Sequence, residues 1–89
     1  MDTLYRIHTE GKPEHIDNIH RIVSQTFDGY TSTPVIGSWR GVREHAVVIE
    51  IYATRAHEFA IRLVAENIKR ANNQESVLVV SLPVTVELV

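Results

Sequence analysis

The order of two hydrophobic periodicities along these 89 residues constrains the fold more than any other sequence feature. Apolar residues that alternate with polar ones indicate half-buried strands, whereas apolar residues at three- and four-residue spacing indicate amphipathic helices. The periodicities follow one another as strand, helix, strand, strand, helix, strand. Because no linker, low-complexity tract or repeat separates them, we expect a single domain over residues 1–89.

Turn and capping residues set the limits of these segments. Strands are predicted over residues 4–9, 35–40, 44–53 and 76–82, with a short extra C-terminal strand over residues 84–89. A first helix is predicted over residues 13–27, since Pro13 suits a first helical turn. Thr54 is predicted to cap a second helix. The buried face of this second helix is predicted to comprise Ala56, Ala60, Leu63, Val64, Ile68 and Ala71. The order is that of an α+β, ferredoxin-like βαββαβ fold.

The strand predicted over residues 44–53 is apolar on both sides. Two helices can cover one face of a four-stranded sheet, and the other face is normally polar in a monomer. Val47, Ile49 and Ile51 form one side, yet positions 46, 48 and 52 are also apolar and Glu50 is the one charge between them. A contiguous apolar surface normally marks an interface, so we predict a homo-oligomer. The alternative is a monomer whose short strands only look two-sided.

Composition excludes several classes of function. The chain has no cysteine, so disulfides, thiolate metal ligands and a thiol nucleophile are absent, and an intracellular, cytoplasmic setting is expected. The sequence shows neither a signal-peptide pattern nor an apolar stretch of about 20 residues, which predicts no membrane partner. A net charge of −2 argues against a nucleic-acid partner, because duplex binding needs many Lys and Arg residues.

No catalytic or metal-binding motif is evident. The five histidines, at positions 8, 15, 20, 45 and 57, lack metal-ligand spacing and have no accompanying set of cysteines or carboxylates. A nucleophile-elbow sequence and a glycine-rich phosphate loop are both missing. We therefore predict a protein without enzyme activity, metal or cofactor, with a small enzyme of ferredoxin-like fold as an alternative.

One group of polar and aromatic residues around the predicted hairpin suits an anion joined to a flat ring. It combines hydroxyl donors, two guanidinium groups, a histidine and two aromatic rings. The residues predicted to bind a ligand on this basis are Tyr30, Thr31, Ser38, Trp39, Arg40, Arg43 and His45. The alternative is a solvated hairpin in which Trp39 serves packing. Glu50 is a further candidate, because a carboxylate in an apolar strand needs a partner, whether Arg6, Arg40 of a second subunit or a ligand.

Five short stretches carry a resemblance to a known group. They are FDGYT at residues 27–31, GSWRG at 37–41, VIEI at 48–51, NQESVLV at 73–79 and PV at 83–84. Together they resemble small, mostly uncharacterised bacterial and phage proteins of PII-like ferredoxin fold. Because members of the wider PII and CutA-like group are typically trimers with ligands between subunits, the resemblance implies a trimer. The predicted hairpin is too short for the long regulatory loop of signalling PII proteins, so no PII ligand residue is carried over.

By position alone, the resemblance implies a cleft lined by residues 30–40, the hairpin and the turn of a neighbouring subunit that holds Gln74. The resulting prediction is a non-enzymatic trimer that binds an anionic, nucleotide-like molecule between subunits. A finer prediction is a phage-type sponge that sequesters a nucleotide immune signal. The alternative is a protein–protein interaction or regulatory module that uses Trp39 and the hairpin.

Overall fold

The chain forms a four-stranded antiparallel sheet and two helices in a computed structural model that describes residues 2–89. The elements are β1 (Asp2–Glu10), α1 (Pro13–Ser24), β2 (Thr31–Trp39), β3 (Val42–Thr54), a 3₁₀ turn (Arg55–His57), α2 (Glu58–Ala71) and β4 (Leu78–Val84). The strand order is β2-β3-β1-β4, so β1 and β3 are central. This arrangement confirms the predicted α+β, ferredoxin-like fold.

Both helices pack on one face of the sheet. Cross-strand neighbours share a face, and the pairs Tyr5–Ile51 and Ile7–Ile49 of β1 and β3 are buried. The helices complete this core with Ile19, Ile22 and Val23 of α1 and with Ile61, Val64, Ala65 and Ile68 of α2. Burial of apolar side chains is the dominant favourable contribution to folding. The sheet therefore has one face in the core and one face without helices.

The helices differ in detail from the sequence prediction. α1 ends at Ser24, three residues before its predicted end. Beyond the helix, the N–H of Phe27 donates to the carbonyl of Val23 at 2.9 Å, and the Phe27 side chain packs on the core. The predicted buried face of α2 is confirmed at Val64 and Ile68. It is wrong at Leu63, which is exposed, and it missed Ile61 and Ala65, which are buried. Apolar residues surround much of this helix. The periodicity of α2 is therefore compatible with two apolar stripes, and packing on the sheet buries one of them.

The hairpin turns at Arg40-Gly41, earlier than the gap at residues 41–43 between the two predicted strands. Arg40 has φ 51° and Gly41 has φ 78°, and a two-residue turn between antiparallel strands favours positive φ at both central positions. Glycine adopts this conformation without steric cost, whereas arginine does not. As a result Arg43 lies within β3 instead of in the turn, and β2 begins at Thr31, four residues before its predicted start.

Prolines lie within both outer strands of the sheet. Pro34 is in β2 and Pro83 is in β4, and Pro83 pairs with Thr3 without ending its strand. Outer strands accept proline because its missing N–H can face solvent. The predicted extra C-terminal strand over residues 84–89 is not formed, since residues 85–89 have no regular secondary structure. A segment of alternating residues forms a strand only where a neighbouring strand pairs with it. In the part of the chain that the structure describes, no strand pairs with residues 85–89.

Gly11 closes the gap between the end of β1 and β3. Its N–H donates to the carbonyl of His45 at 3.0 Å. A Cβ at this position would lie 2.5 Å from Cγ2 of Val47 and 2.8 Å from the backbone carbon of Ala46. The backbone atom belongs to a central strand and cannot move freely, so a side chain is excluded here.

We expect Gly11→Ala to lower the free energy of unfolding by about 1–3 kcal/mol, because the added methyl group overlaps β3. The measurement is chemical denaturation of the variant beside the wild type. Gly29→Ala is the matched control, since a Cβ there meets nothing within 4 Å. Equal stability of Gly11→Ala and wild type would contradict the close approach of Gly11 to β3.

Candidate functional site

The face of the sheet opposite the helices, here called the open face, is largely apolar. The register assigns residues to it, because Val47, Ile49 and Ile51 occupy the core and their neighbours in sequence point the other way. Its exposed or half-buried apolar members are Val35, Ala46, Val48, Tyr52, Leu78, Val80, Leu82 and Val84, whereas Leu4 is buried on this face. Tyr52 and Leu78 are each 59% exposed. A continuous apolar surface of this kind normally marks a contact with another molecule.

An ion pair lies at the centre of the open face. Arg6 and Glu50 are cross-strand partners, and Nε of Arg6 donates to Oε2 of Glu50 at 2.8 Å. Their side chains are 42% and 25% exposed. Among the partners considered for Glu50, the structure selects Arg6 of the same chain. An exposed pair of this type contributes only about 0–1 kcal/mol to stability.

The end of the β2–β3 hairpin extends beyond the rest of the sheet. β1 pairs with β3 only as far as Glu10 and Ala46, whereas β2 and β3 continue to Trp39 and Val42. Residues 36–45, here called the ribbon, therefore have no third strand beside them. Ile36, Trp39 and Val42 are 63%, 68% and 62% exposed. A two-stranded ribbon is marginally stable in water, so these side chains are suited to contact with another molecule.

Strand alternation divides the predicted ligand-binding residues between the two sides of the hairpin. Thr31, Trp39 and Glu50 lie on the open face, whereas Ser38, Arg43 and His45 lie on the helix side. Arg40 is in the turn, with Cζ 5.5 Å from the centre of the Trp39 ring, a cation–π arrangement. Thr31 and Trp39 are at opposite ends of β2, roughly 26 Å apart at about 3.3 Å per residue. Within one chain, the nine predicted residues do not form one pocket.

Tyr30 and Gln74 have structural partners within the chain. The hydroxyl of Tyr30 is 2.6 Å from Nδ1 of His20 and 3.2 Å from Oγ of Ser24, which ties the start of β2 to α1. Gln74 is 8% exposed; its Nε2 donates to Oγ1 of Thr9 at 2.6 Å. Its Oε1 also accepts the backbone N–H of Glu10 at 3.2 Å. Both side chains are therefore occupied in holding the fold.

A polar surface lies on the helix side of the ribbon. Ser38 and Arg43 are cross-strand partners, and His45 lies two residues further along β3 on the same side. The bond from Gly11 N–H to the His45 carbonyl brings the N-terminus of α1, with exposed Lys12, beside this group. The N-terminus of a helix carries partial positive charge. We call Lys12, Ser38, Arg43 and His45 the basic surface.

A cleft of about 630 Å³ borders the open face and runs along the ribbon from its root to Trp39. Val35, Ala46, Val48, Leu78 and Trp39 supply its apolar lining. Three carboxylates, Glu10, Glu44 and Glu75, also line it, together with His8 and without any Lys or Arg. This acidic cleft repels an anion. It includes Ser38, Trp39 and Gln74 of the predicted residues but has the opposite charge to the predicted site.

Sequence reasoning missed most residues of the acidic cleft. The alternation of side chains in β1 and β3 could have placed His8, Glu10 and Glu44 on the open face, because each of them shares a side of the sheet with Arg6 or Glu50. Glu75 carried no such signal, since its position depends on the loop between α2 and β4. Among residues 2–89, no three His, Asp or Glu side chains are grouped closely enough to hold a metal ion. The described helices are also too short or too polar to cross a membrane.

We expect Gln74→Ala to lower the free energy of unfolding by about 1–3 kcal/mol, since it leaves buried polar groups of β1 without partners. Urea denaturation of the variant measures this change. The matched control is Gln25→Ala, which removes an exposed side chain after α1. A loss of stability no larger than that of the control would contradict the structural role of Gln74.

The fold can be compared with solved structures. No protein-family model matches the sequence, and no curated protein matches it. A DUF3240 family protein from Shewanella baltica OS155 has a TM-score of 0.73 and 12% identity, over 99% of this chain and 94% of that one. Two further structures have TM-scores of 0.66 and 16% identity. Arabidopsis thaliana PII bound to citrate is matched over 94% of this chain and 78% of that one.

The second of the structures with a TM-score of 0.66 is the divalent cation tolerance protein CutA1 of Thermus thermophilus, matched over 99% of this chain and 88% of that one. At these identities the likeness is one of fold alone. It agrees with the resemblance found in the sequence and with the strand order of the sheet. This chain has the PII-like ferredoxin fold.

Proposed function

We propose that this chain is a non-enzymatic protein that associates with copies of itself through the open face and binds a small anion at the basic surface. One observation carries the proposal: the ribbon has an apolar and acidic open side and a basic helix side. The first side suits a contact with protein, and the second suits an anionic ligand. The charged side chains of the two surfaces point to opposite sides of the ribbon, and Ser38 borders both surfaces.

Self-association is supported by the apolar surface that the chain leaves uncovered. The open face contains side chains from all four strands, and the ribbon adds Trp39 and Val42 at its end. Covering this area removes apolar surface from water, which favours association by roughly 25 cal/mol per Å² before the cost of association is subtracted. The predicted trimer is one assembly that buries this face.

Anion binding is supported by the donors of the basic surface. The Arg43 guanidinium presents a fork of N–H donors, and Ser38 and His45 add further polar groups beside it. Trp39 lies on the opposite side of the same ribbon, so a flat ring bound near Arg43 would stack on Trp39 only if a neighbouring copy supplied it. A nucleotide-like ligand held between subunits, and its sequestration as an immune signal, are the finer forms of this proposal.

Citrate is a useful first probe because the similar Arabidopsis PII structure is described as bound to citrate. It offers three carboxylates and no ring, whereas a nucleotide offers phosphates and a ring. Comparing the two therefore separates recognition of charge from recognition of a nucleotide. Binding alone requires no chemical step, which accords with the absence of a catalytic motif in the sequence.

The Arg6–Glu50 pair provides a test of self-association. If copies pack on the open face, the pair loses its water, and removal of Glu50 leaves an unpaired charge that costs about 3–5 kcal/mol. We expect Glu50→Ala to raise the dissociation constant of the assembly at least tenfold, measured by sedimentation velocity over a concentration series. The double variant Arg6→Met/Glu50→Leu is expected to recover most of the affinity.

The control for this test is Glu58→Ala. It breaks the exposed pair between Arg55 and Glu58, whose atoms are 3.9 Å apart and lie away from the open face. We expect this variant to associate like the wild type. A wild-type protein that is monomeric at every concentration would overturn the proposal, as would a Glu50→Ala variant that behaves like the control.

Anion binding is tested by thermal unfolding with citrate, ATP and a cyclic dinucleotide. We expect at least one of them to raise the melting temperature with increasing concentration, as a ligand specific to the folded state does. Arg43→Ala should weaken binding of that anion roughly 10- to 100-fold, because a charged hydrogen bond is worth about 1.5–3 kcal/mol. Titration calorimetry measures the change.

Arg62→Ala is the matched control, since Arg62 is exposed on α2, away from the ribbon. It is expected to bind the anion like the wild type. Tighter binding of ATP or the cyclic dinucleotide than of citrate would support a nucleotide-like ligand. If none of the three anions stabilises the protein, or if Arg43→Ala binds unchanged, the basic surface is not the site. Capture of a partner protein without any anion response would favour the interaction module.

A further inference from the structure

The end of the ribbon combines one positive charge with apolar surface. Trp39 and Val42 are cross-strand partners on its open side, and Arg40 lies in the turn between them. The Arg40 guanidinium rests 5.5 Å from the Trp39 ring centre. We call residues 39–42 the tip. It contains no carboxylate, and its two large apolar side chains are mostly exposed.

The acidic cleft has the complementary properties. Glu10, Glu44 and Glu75 line it without a neighbouring Lys or Arg, and its remaining surface is largely apolar. A cleft whose charged lining is of one sign carries a potential that attracts the opposite charge, here a cation. The apolar lining favours an occupant that carries apolar groups beside its charge. A guanidinium held against an indole ring meets both requirements.

The tip reaches the cleft of its own chain only through Trp39, which is part of the lining, and among the described residues Arg40 forms no ion pair with Glu10, Glu44 or Glu75. The cleft extends from the root of the ribbon to Trp39, whereas Arg40 lies in the turn, and the ladder between β2 and β3 is paired without interruption from Thr31–Glu50 to Trp39–Val42. Bending the tip back onto the root would break this ladder. An occupant with the chemistry of the tip must therefore come from another molecule.

We propose that the tip of one copy docks into the acidic cleft of a second copy, with Arg40 among the carboxylates and Trp39 and Val42 against the apolar lining. This inference rests on the proposed self-association and names the contact that gives it specificity. Arg43 points to the other side of the ribbon, so the contact leaves the basic surface free for an anion. Since it joins opposite charges, association weakens as salt is added.

The sharpest test uses the conformation of Arg40. Its φ is positive, and asparagine adopts positive φ more readily than arginine; Asn-Gly is also a preferred two-residue hairpin sequence. We expect Arg40→Asn to keep or raise the melting temperature while raising the dissociation constant of the assembly at least tenfold. A change that strengthens the turn and weakens association cannot be explained by damage to the fold.

Charge exchange supplies the second arm. Arg40→Glu and the cleft variant Glu44→Lys/Glu75→Lys should each associate at least tenfold more weakly than the wild type in sedimentation velocity. The variant that combines all three substitutions should return to within about threefold, because the charges again match. Arg62→Glu, an equal charge reversal on α2, is the control and is expected to associate normally.

The outcomes separate this inference from the proposed function. If the wild type is monomeric at every concentration, both are overturned. If the wild type assembles but Arg40→Asn associates equally well, or if the combined variant shows no recovery, the docking of the tip is overturned while self-association through the open face stands.

Discussion

A β-strand directs successive side chains to opposite faces of its sheet, and the two helices of this chain cover one of those faces. Every residue of β1 and β3 is therefore directed either to the helix side or to the open face. Ile49 and Glu50 are adjacent in sequence, yet one is fully buried and the other belongs to an exposed ion pair. The core, the open face and the two sides of the ribbon all follow from this geometric rule.

The same rule decides which functional chemistry is possible at each surface. Arg43 and Glu44 are neighbours in β3, and alternation sends the first to the basic surface and the second to the acidic cleft. The polar residues of the hairpin, which form one cluster in the sequence, thus lie on two surfaces of opposite charge. The proposed anion and the proposed cationic protein segment would therefore bind on opposite sides of one ribbon.

Much of the fold was predictable because its signals are local. The order of strands and helices followed from periodicity, and the need of Glu50 for a partner such as Arg6 followed from its apolar neighbours. The turn at Arg40-Gly41 was misplaced because arginine is an unfavourable residue at positive φ and gives no turn signal. The burial of Gln74 depends on Thr9, which is 65 residues away along the chain. No local pattern reports a contact of that range.

Pro34 and Pro83 have a consequence for how copies of this chain can meet. One lies in each outer strand of the sheet. A further strand that added to either edge would need a continuous row of backbone N–H groups, and proline removes one donor from such a row. Extension of the sheet from chain to chain, the route to fibrous aggregates, is interrupted at both ends. A chain that leaves one sheet face uncovered thereby retains protection along its edges.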